Sequence, residues 1–299
     1  MHRRSFIRYS SLSAGLLALS PKNLLASLLQ QPAYKITMLR NDIGIFTERG
    51  GTIAFLLSPE GIVVVDSEFP DPAKHLIDEL KKKSEKPFKL LINTHHHGDH
   101  TGGNIAFKDM VEHVVGHENC LANYKRVSEQ QKSTDKQLFQ DITFTDSWKH
   151  KIGKERIRAY YFGAAHTNGD AIFHFEHANI AHMGDLMFNR RHPVIDRSAG
   201  ASIQNWVVVL DKTVKHFNKD TMFVFGHALD PEKVTGTKED LSLFKDYFEK
   251  LLDFTGKEIK AGKTKEEIGK NTSIPGVTEW KGDGIQRVLT TTYDELTSK

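Results

Sequence analysis

The sequence predicts an α/β fold in which two β-sheets are packed between helices. Short strand-like runs alternate with helical patterns in both halves of the chain, as is typical of sheets covered by helices. One of these runs, residues 62–65, is continuously β-branched, which is expected of a strand buried on both faces. At 299 residues the chain can bury a sizeable core, and no linker or low-complexity segment divides residues 33–299. We therefore expect one domain over that range.

The first half begins with strand patterns separated by glycine and proline turns. Four are expected, at residues 35–39, 43–46, 52–57 and 62–65. A helix should follow from Pro70 to the lysine run at residues 81–83, because its apolar residues recur at helical spacing. The apolar run at residues 90–92 indicates a buried strand that leads into a histidine-rich loop. Residues 111–115 then predict a strand and residues 117–131 a helix.

The second half repeats the alternation after a polar segment. Residues 132–155, rich in lysine, are interpreted as a mobile connection with one short strand near residues 142–144. Strands are expected at residues 156–162, 171–175, 179–182 and 221–225. Helices are expected at residues 201–217 and 238–260.

Residues 1–32 resemble an export signal rather than a part of this fold. Arg3 and Arg4 precede a short apolar stretch at residues 11–19, and the segment has no acidic residue. The adjacent arginines followed by Ser-Phe-Ile resemble a twin-arginine signal, which predicts export to the periplasm. A membrane anchor and a disordered basic tail are the alternatives. The Pro-Lys-Asn at residues 21–23 interrupts the apolar run well short of the ~20 residues of a membrane span, so no stable span is expected after signal removal.

The charge balance argues against a nucleic-acid or anionic-membrane partner. The whole chain carries +3, but loss of the four cations of residues 1–32 would leave −1, so the basic balance belongs to the signal. A single cysteine, Cys120, excludes an intramolecular disulfide and a cysteine-rich zinc module. We expect a small molecule as the substrate, and the sequence does not indicate the oligomeric state.

Metal-ligand side chains stand close together after the strand at residues 90–92. Four lie within six positions: His95, His97, Asp99 and His100. Alternate side chains of an extended segment point the same way, so His95 and His97 can bind one metal while His96 faces the other side. A bend at the glycine that follows would bring the aspartate and the last histidine to a second metal. Imidazole suits zinc, and the carboxylate favours a catalytic site.

This His-x-His-x-Asp-His pattern resembles the signature of the metallo-β-lactamase superfamily. The other motifs of that family follow in order, from about residue 35 to the chain end: Asp66 at the end of Gly-Ile-Val-Val-Val-Asp, His166 in Gly-Ala-Ala-His-Thr-Asn-Gly-Asp, Asp185 in His-Met-Gly-Asp-Leu and His227 in Phe-Gly-His. The resemblance implies a four-layer αββα sandwich of two mixed sheets flanked by helices. It also implies a binuclear metal site along one edge.

The resemblance further implies which residues bind two Zn²⁺ ions, with iron or manganese as the alternative metals. The first ion would be held by His95, His97 and His166, the second by Asp99, His100 and His227, with Asp185 bridging both. Members of this kind are hydrolases in which a metal-bridging hydroxide attacks an ester, thioester, lactone or phosphodiester bond. Asp99 would in addition orient the hydroxide or accept a proton.

Several neighbouring residues have more than one interpretation. Asp66 either orients a ligand histidine, as the matching aspartate does in the family, or caps the turn after its strand. His182 and His192 are candidate wall residues of the pocket, and His117 is equally ambiguous.

The position of Asp185 discriminates between substrates. β-Lactamases with a dedicated second zinc site usually have a cysteine there and a lysine three residues later that binds the drug carboxylate. This chain has Asp185 and no cysteine nearby, which resembles the thioester, phosphodiester and lactone hydrolases, and it has Phe188 at the later position. Arg190 or Arg191 could replace the lysine, so a class B-like metallo-β-lactamase acting on β-lactam antibiotics is the alternative prediction.

Two classes outside the hydrolases are disfavoured. An iron oxidoreductase with a diiron centre needs a glutamate where His97 stands and a flavodoxin domain, and neither is present. A mononuclear persulfide oxygenase would not need the second set of ligands. A non-catalytic metal-binding module usually loses ligands, whereas all seven positions are intact here.

Overall fold

Two mixed β-sheets form the centre of the protein in the computed structural model, which describes residues 34–298. The predicted export signal lies outside the described residues. The first sheet has seven strands in sequence order: β1 (Lys35–Met38), β2 (Ile43–Thr47), β3 (Ile53–Ser58), β4 (Gly61–Val65), β5 (Phe88–Ile92), β6 (Val111–His117) and β7 (Ile142–Phe144). Strands β2, β3 and β4 pair antiparallel with their neighbours, and strands β4 to β7 run parallel.

The second sheet has six strands and is accompanied by a short ribbon. Its order is β15 (Thr235–Gly236), β13 (Met222–Val224), β11 (Ile180–His182), β10 (Ile172–Phe175), β9 (Glu155–Tyr160) and β8 (Ser147–Ile152). A separate parallel pair joins β12 (Phe188–Asn189) to β14 (His227–Ala228). This pair brings the segment after Asp185 beside His227.

Within residues 34–298, seven α-helices accompany the sheets: α1 (Pro70–Lys83), α2 (Gly98–Thr101), α3 (Glu118–Gln130), α4 (Ile203–His216), α5 (Lys238–Lys260), α6 (Lys265–Gly269) and α7 (Ile285–Thr297). Helix α1 begins with Pro70 at its first position and ends in three lysines, which complement the helix dipole. Among the described residues, no helix is both long and apolar enough to cross a membrane.

Alternating side chains divide the interior into two cores. Ile45, Val63 and Ile92 of the first sheet pack with Phe173 and Val224 of the second, so the sheets meet face to face. The other face of the second sheet packs against helices, and its core includes Ile172, Phe223, Trp206, Phe244 and Val288. The buried residues of α1 do not join the core between the sheets, so α1 covers the opposite face of the first sheet. The predicted αββα sandwich is confirmed.

One segment of the prediction was wrong. Residues 147–152 form the edge strand β8, which pairs antiparallel with β9, and are not part of a loose connection. Trp148, His150 and Ile152 alternate with Lys149 and Lys151, a period of two that indicates a strand with one solvated face. The lysine content concealed this period, because charged residues are common on edge strands.

Candidate metal centre

The histidine-rich loop begins where the buried strand β5 ends. His97 keeps an extended backbone, with φ −63° and ψ 147°, and α2 starts at Gly98. The chain therefore turns at Gly98, as the sequence predicted. The turn carries Asp99 and His100 onto a short helix and separates them from His95 and His97.

Three further ligand candidates follow strands of the second sheet. His166 lies in the loop between β9 and β10, Asp185 in a short 3-10 helix after β11, and His227 at the start of β14. Loops on a rigid scaffold can bring together side chains that are far apart in sequence. The structure gathers all seven predicted ligands into two adjoining groups.

The first group combines three imidazoles with one carboxylate. Its potential ligand atoms lie within 4.8 Å of one another and belong to His95, His97, His166 and Asp185. The outer nitrogens of two rings have hydrogen-bond partners: His97 Nε2 lies 2.9 Å from Asp196 Oδ2, and His166 Nδ1 lies 2.8 Å from the Val194 carbonyl oxygen. The inner nitrogens, His97 Nδ1 and His166 Nε2, face each other at 2.8 Å.

These contacts fit a metal site. Carboxylate and carbonyl oxygens only accept hydrogen bonds, so the outer nitrogen of each ring carries its proton. The inner nitrogens of the neutral rings then hold lone pairs, which repel at this separation unless a cation lies beside them. Burial, with a further contribution from His97, lowers the pKa of His166 to about 4 and so disfavours an added proton. His95 Nε2 is buried without a hydrogen-bond partner in the described part of the chain. One metal ion satisfies all three rings.

The second group has more negative charge. Asp99, His100 and His227 place their ligand atoms within 4.8 Å of one another. His227 Nε2 lies 3.1 Å from Asp99 Oδ2 and 3.4 Å from His100 Nε2. Asp99 has the most exposed side chain of these three, at 33%, against 14% for His227 and 0% for His100. Asp99 is therefore the member of the group that solvent or a substrate can reach.

Asp185 connects the two groups with one carboxylate oxygen for each. Its Oδ2 lies 3.5 Å from His166 Nε2 and 3.9 Å from His95 Nε2. Its Oδ1 lies 3.0 Å from His100 Nε2 and 3.4 Å from His227 Nε2. This is the geometry that a carboxylate shared between two cations requires.

The carboxylates control the charge of the second group. Burial would lower the pKa of His227, but Asp185 and Asp99 raise it to about 9. Burial likewise opposes a charge on His100, yet Asp185, Asp66 and Asp99 hold its pKa well above the ordinary value. Burial would raise the pKa of Asp99, which His100 and His227 hold well below its usual range. The acids around this group therefore favour a positive charge, which a bound metal ion would supply in place of ring protons.

Asp66 lies beneath the second group. It is fully buried, and its Oδ2 lies 2.7 Å from His100 Nδ1. It also accepts hydrogen bonds from the backbone N–H and the hydroxyl of Thr94, both at 2.8 Å. The contact with His100 matches the first interpretation, in which Asp66 orients a ligand histidine, whereas its other hydrogen-bond partner, Thr94, starts the ligand loop and is not part of the turn after β4.

The other histidines named from the sequence contact the backbone or aromatic rings. Both ring nitrogens of His182 lie against the backbone, Nε2 at 2.8 Å from the Thr52 carbonyl and Nδ1 at 3.1 Å from the Gly184 N–H. His192 Nδ1 lies 3.0 Å from the Tyr247 hydroxyl. His117 stacks on a tyrosine ring at 4.1 Å. Within residues 34–298, the three belong to no group of potential metal ligands.

The two arginines differ in their surroundings. Arg190 Nε lies 2.6 Å from Glu279, its Nη2 lies 3.5 Å from Asp240, and the guanidinium stacks over Trp280 at 4.9 Å. Its charge is thus already paired with acids that are not metal-ligand candidates. Arg191 is exposed and forms a backbone bridge with Lys281. Arg191 is therefore the better placed of the two to meet an anionic substrate.

The turn between strands β2 and β3, residues 48–52, lies against the second group, although it belongs to none of the ligand motifs. A Cβ atom at Gly51 would come within 2.0 Å of the His100 ring, so glycine is required for this approach. The buried carboxylate of Glu68 accepts the backbone N–H groups of Glu48, Arg49 and Gly50 at 2.8–3.0 Å and holds the turn there. In the sequence, Gly50 and Gly51 predict a turn, but paired glycines also allow the backbone to approach a site closely.

The comparisons with known proteins identify the family. The family model described as the metallo-beta-lactamase superfamily matches residues 47–253, more than half of the chain. The chain belongs to this superfamily, as its ordered motifs predicted. The prediction of a metal-dependent hydrolase is confirmed at the level of the superfamily.

Similar proteins agree with this assignment at low identity. The metallo-beta-lactamase type 2 of Elizabethkingia meningoseptica is 23% identical over 230 residues, 74% of this chain and 89% of that protein. The hydroxyacylglutathione hydrolase of Crocosphaera subtropica is 30% identical over 123 residues, 41% of this chain and 42% of that protein. A solved metallo-beta-lactamase from Pontibacter korlensis superposes with a TM-score of 0.60 at 19% identity, covering 72% of this chain and 99% of that one. The solved structure supports the fold alone.

Proposed function

We propose that the protein is a binuclear zinc hydrolase that cleaves an ester, thioester, lactone or phosphodiester bond. The observation that carries this proposal is the position of Asp185, which directs one oxygen to each ligand group. When bound, two such ions act as Lewis acids that activate water and polarise a substrate oxygen. His95, His97 and His166 would hold one ion, and Asp99, His100 and His227 the other.

The side chains of the centre have separate tasks in this proposal. Asp66 and Asp196 keep the rings of His100 and His97 in the tautomers that present a free nitrogen. Asp99 has a partly exposed carboxylate that its low pKa keeps ionised, so it can orient the attacking water, while the same low pKa makes it a weak proton acceptor.

Phe188 supports a substrate without a carboxylate anchor. It is 1% exposed and stacks on His227 at 5.3 Å between ring centres, with an interplanar angle of 21°. A cation at this position is what the related lactamases use to bind the drug, and an aromatic ring cannot replace it. The 30% identity to a hydroxyacylglutathione hydrolase supports an acyl substrate such as a thioester.

A β-lactamase is the second candidate. The relatives named metallo-beta-lactamase type 2 match a larger share of this chain than the hydroxyacylglutathione hydrolase does. The exposed Arg191 would be the cation for a drug carboxylate.

Metal analysis and a substrate panel test both candidates. We expect about two zinc ions per chain after reconstitution and turnover of a thioester, lactone, ester or phosphodiester in preference to penicillins and carbapenems. A protein that binds one ion and gains nothing from added zinc would contradict the binuclear site. Faster turnover of a β-lactam than of every other substrate would favour the second candidate.

We also propose that residues 1–32 direct export by the twin-arginine route. Replacing Arg3 and Arg4 with lysine removes the paired arginines and keeps the charge. The variant should accumulate in the cytoplasm, as fractionation and immunoblotting would reveal. Unchanged export would exclude this route.

A further inference from the structure

One loop contacts two histidines of the first ligand group. The support loop, residues 194–202, contributes the Val194 carbonyl oxygen, 2.8 Å from His166 Nδ1, and the Asp196 carboxylate, 2.9 Å from His97 Nε2. The Asp196 N–H also donates to the His166 carbonyl at 3.1 Å. The loop therefore sets which nitrogen of each ring faces the metal position.

The conformation of the support loop fixes the Asp196 side chain. While one carboxylate oxygen faces His97, the other accepts hydrogen bonds from the Ser198 hydroxyl at 2.5 Å and the Ala199 N–H at 3.1 Å. Asp196 thus caps the 3-10 helix Arg197–Ala199. A shift of this short helix would move the carboxylate away from the His97 ring.

A residue from the end of the chain holds the support loop. Glu295, on α7, has a side chain only 5% exposed. Its carboxylate accepts hydrogen bonds from Arg197 Nη1 at 3.2 Å and the Ser202 hydroxyl at 3.2 Å, within the loop. It also accepts the N–H groups of Ile203 at 2.8 Å and Gln204 at 3.0 Å, in the first turn of α4. A buried carboxylate with four donors is a strong anchor, because the helix N-terminus favours its negative charge.

We propose that Glu295 is a positioning residue for the metal centre. It fixes the support loop from α7, and Asp196 of that loop fixes the tautomer and orientation of His97. Glu295 lies outside residues 47–253, the range that matches the superfamily. The C-terminal segment would then contribute to the stability of the metal site. This inference rests on the proposed function, because it requires the first ligand group to bind a metal.

Zinc affinity, measured by competition with a chelator, tests the inference. Asp196→Ala should weaken zinc binding at the first ligand group by about 10–100-fold, as loss of an outer partner usually does. The site of the second group should keep its affinity. Asp196→Asn keeps an oxygen that can accept from His97 and should lose less. Glu295→Gln keeps the shape and removes the charge, so we expect a loss of roughly threefold to tenfold at the first ligand group.

Glu267→Gln is the matched control. Glu267 also caps a helix, accepting the Thr264 N–H at 2.8 Å, and it lies in the same C-terminal segment. Its hydrogen bonds do not involve the support loop. This variant should bind both zinc ions as the wild type does.

The double variant Asp196→Ala, Glu295→Gln separates a relay from a general loss of stability. If Glu295 acts through Asp196, the double variant should bind zinc no more weakly than Asp196→Ala alone. Additive losses, or a lowered melting temperature of Glu295→Gln with unchanged zinc affinity, would overturn the inference. Should Glu295→Gln not fold, Arg197→Ala interrupts the same contact from a side chain that is 37% exposed, and unchanged affinity there would overturn it equally.

The wild-type protein distinguishes failure of the inference from failure of the proposed function. A wild type that binds no zinc would refute both. A wild type that binds two zinc ions, together with variants of equal affinity, would refute only the role of Glu295.

Discussion

The first and second ligand groups lie side by side but differ in what holds them. In the first, the rings of His97 and His166 donate hydrogen bonds to the support loop, which fixes them, and burial lowers the pKa of His166 to about 4. In the second, Asp185 and Asp99 surround His227 and, against the effect of burial, raise its pKa to about 9. The imidazoles of the first group are thus arranged to present lone pairs beside the Asp185 carboxylate, whereas the imidazoles of the second group form ion pairs.

This difference separates two ways of preparing a metal site. A group with neutral rings can take up a cation without releasing protons, so its affinity depends mainly on the geometry of its rings. A group with protonated rings must release those protons when it binds the metal, so its metal affinity depends on how strongly the neighbouring carboxylates favour positive charge. Asp185 belongs to both because it directs one oxygen to each.

The largest effect is expected where the two groups meet. Asp185→Asn keeps the shape but removes the negative charge that both ions would share. We expect turnover to fall by at least about 100-fold, more than the loss of an outer partner, and the second ion to bind most weakly. Metal content by elemental analysis and turnover with the best substrate measure these effects.

The relative loss of the two ions in Asp185→Asn tests whether the two ligand groups differ in their dependence on charge. Equal weakening of both would mean that charge matters as much in the first group as in the second. Full activity with two bound ions would show that Asp185 is not a ligand.

A change confined to the second group should be the next largest. Gly51→Ala places a Cβ within 2.0 Å of the buried His100 ring. Such overpacking typically costs about 1–3 kcal/mol, and the ring must move to relieve it. The second zinc ion should therefore bind more weakly while the first is retained.

Gly98→Ala is the control for this substitution. A Cβ at Gly98 meets no atom within 4 Å, although Gly98 is closer in sequence to the ligands. This variant should keep both ions. Loss of the first ion in Gly51→Ala, or of either ion in Gly98→Ala, would contradict the separation of the two groups.

The sequence predicted the ligands more completely than their supports. The seven ligand candidates stand in short motifs directly after strands, so local pattern and resemblance were enough to predict that these side chains gather. Asp196 follows no strand and belongs to no such motif, and it lies 99 positions from His97. Its role depends on the folded path of the support loop, which composition does not encode.

The same reason explains what was missed in the fold. The cores between sheets and helices follow from apolar periodicity, which is visible over a few residues. Strand β8 was hidden by its lysines, and no pattern was assigned to α6 and α7. Glu295 is one carboxylate among many in the sequence, and only tertiary packing shows that it is buried.

The smallest expected effect concerns a buried acid near the first group. Asp170 is 3% exposed, and burial raises its pKa to about 7 despite hydrogen bonds from the Thr167 N–H and hydroxyl. The acids of the second group behave oppositely, since the pKa of Asp99 is held low. The surroundings of Asp170 therefore disfavour a negative charge, whereas those of Asp99 favour one.

This contrast predicts how stability depends on pH. Because its pKa is raised in the folded state, Asp170 contributes stability that is fully present below its unfolded value of 3.8 and is lost as the pH rises through about 7. Asp170→Asn cannot ionise, so the melting temperature of the metal-free variant should fall less between pH 5 and pH 8 than that of the wild type. For a protein of this size, each kcal/mol of unfolding free energy corresponds to a shift of roughly 2–4 °C in the melting temperature.

Asp253→Asn is the control, because the Asp253 side chain is 61% exposed, and it should leave the pH dependence of the melting temperature unchanged. Parallel curves for the wild type and Asp170→Asn would mean that Asp170 is as readily ionised in the folded protein as in the unfolded chain, and the contrast with Asp99 would not hold.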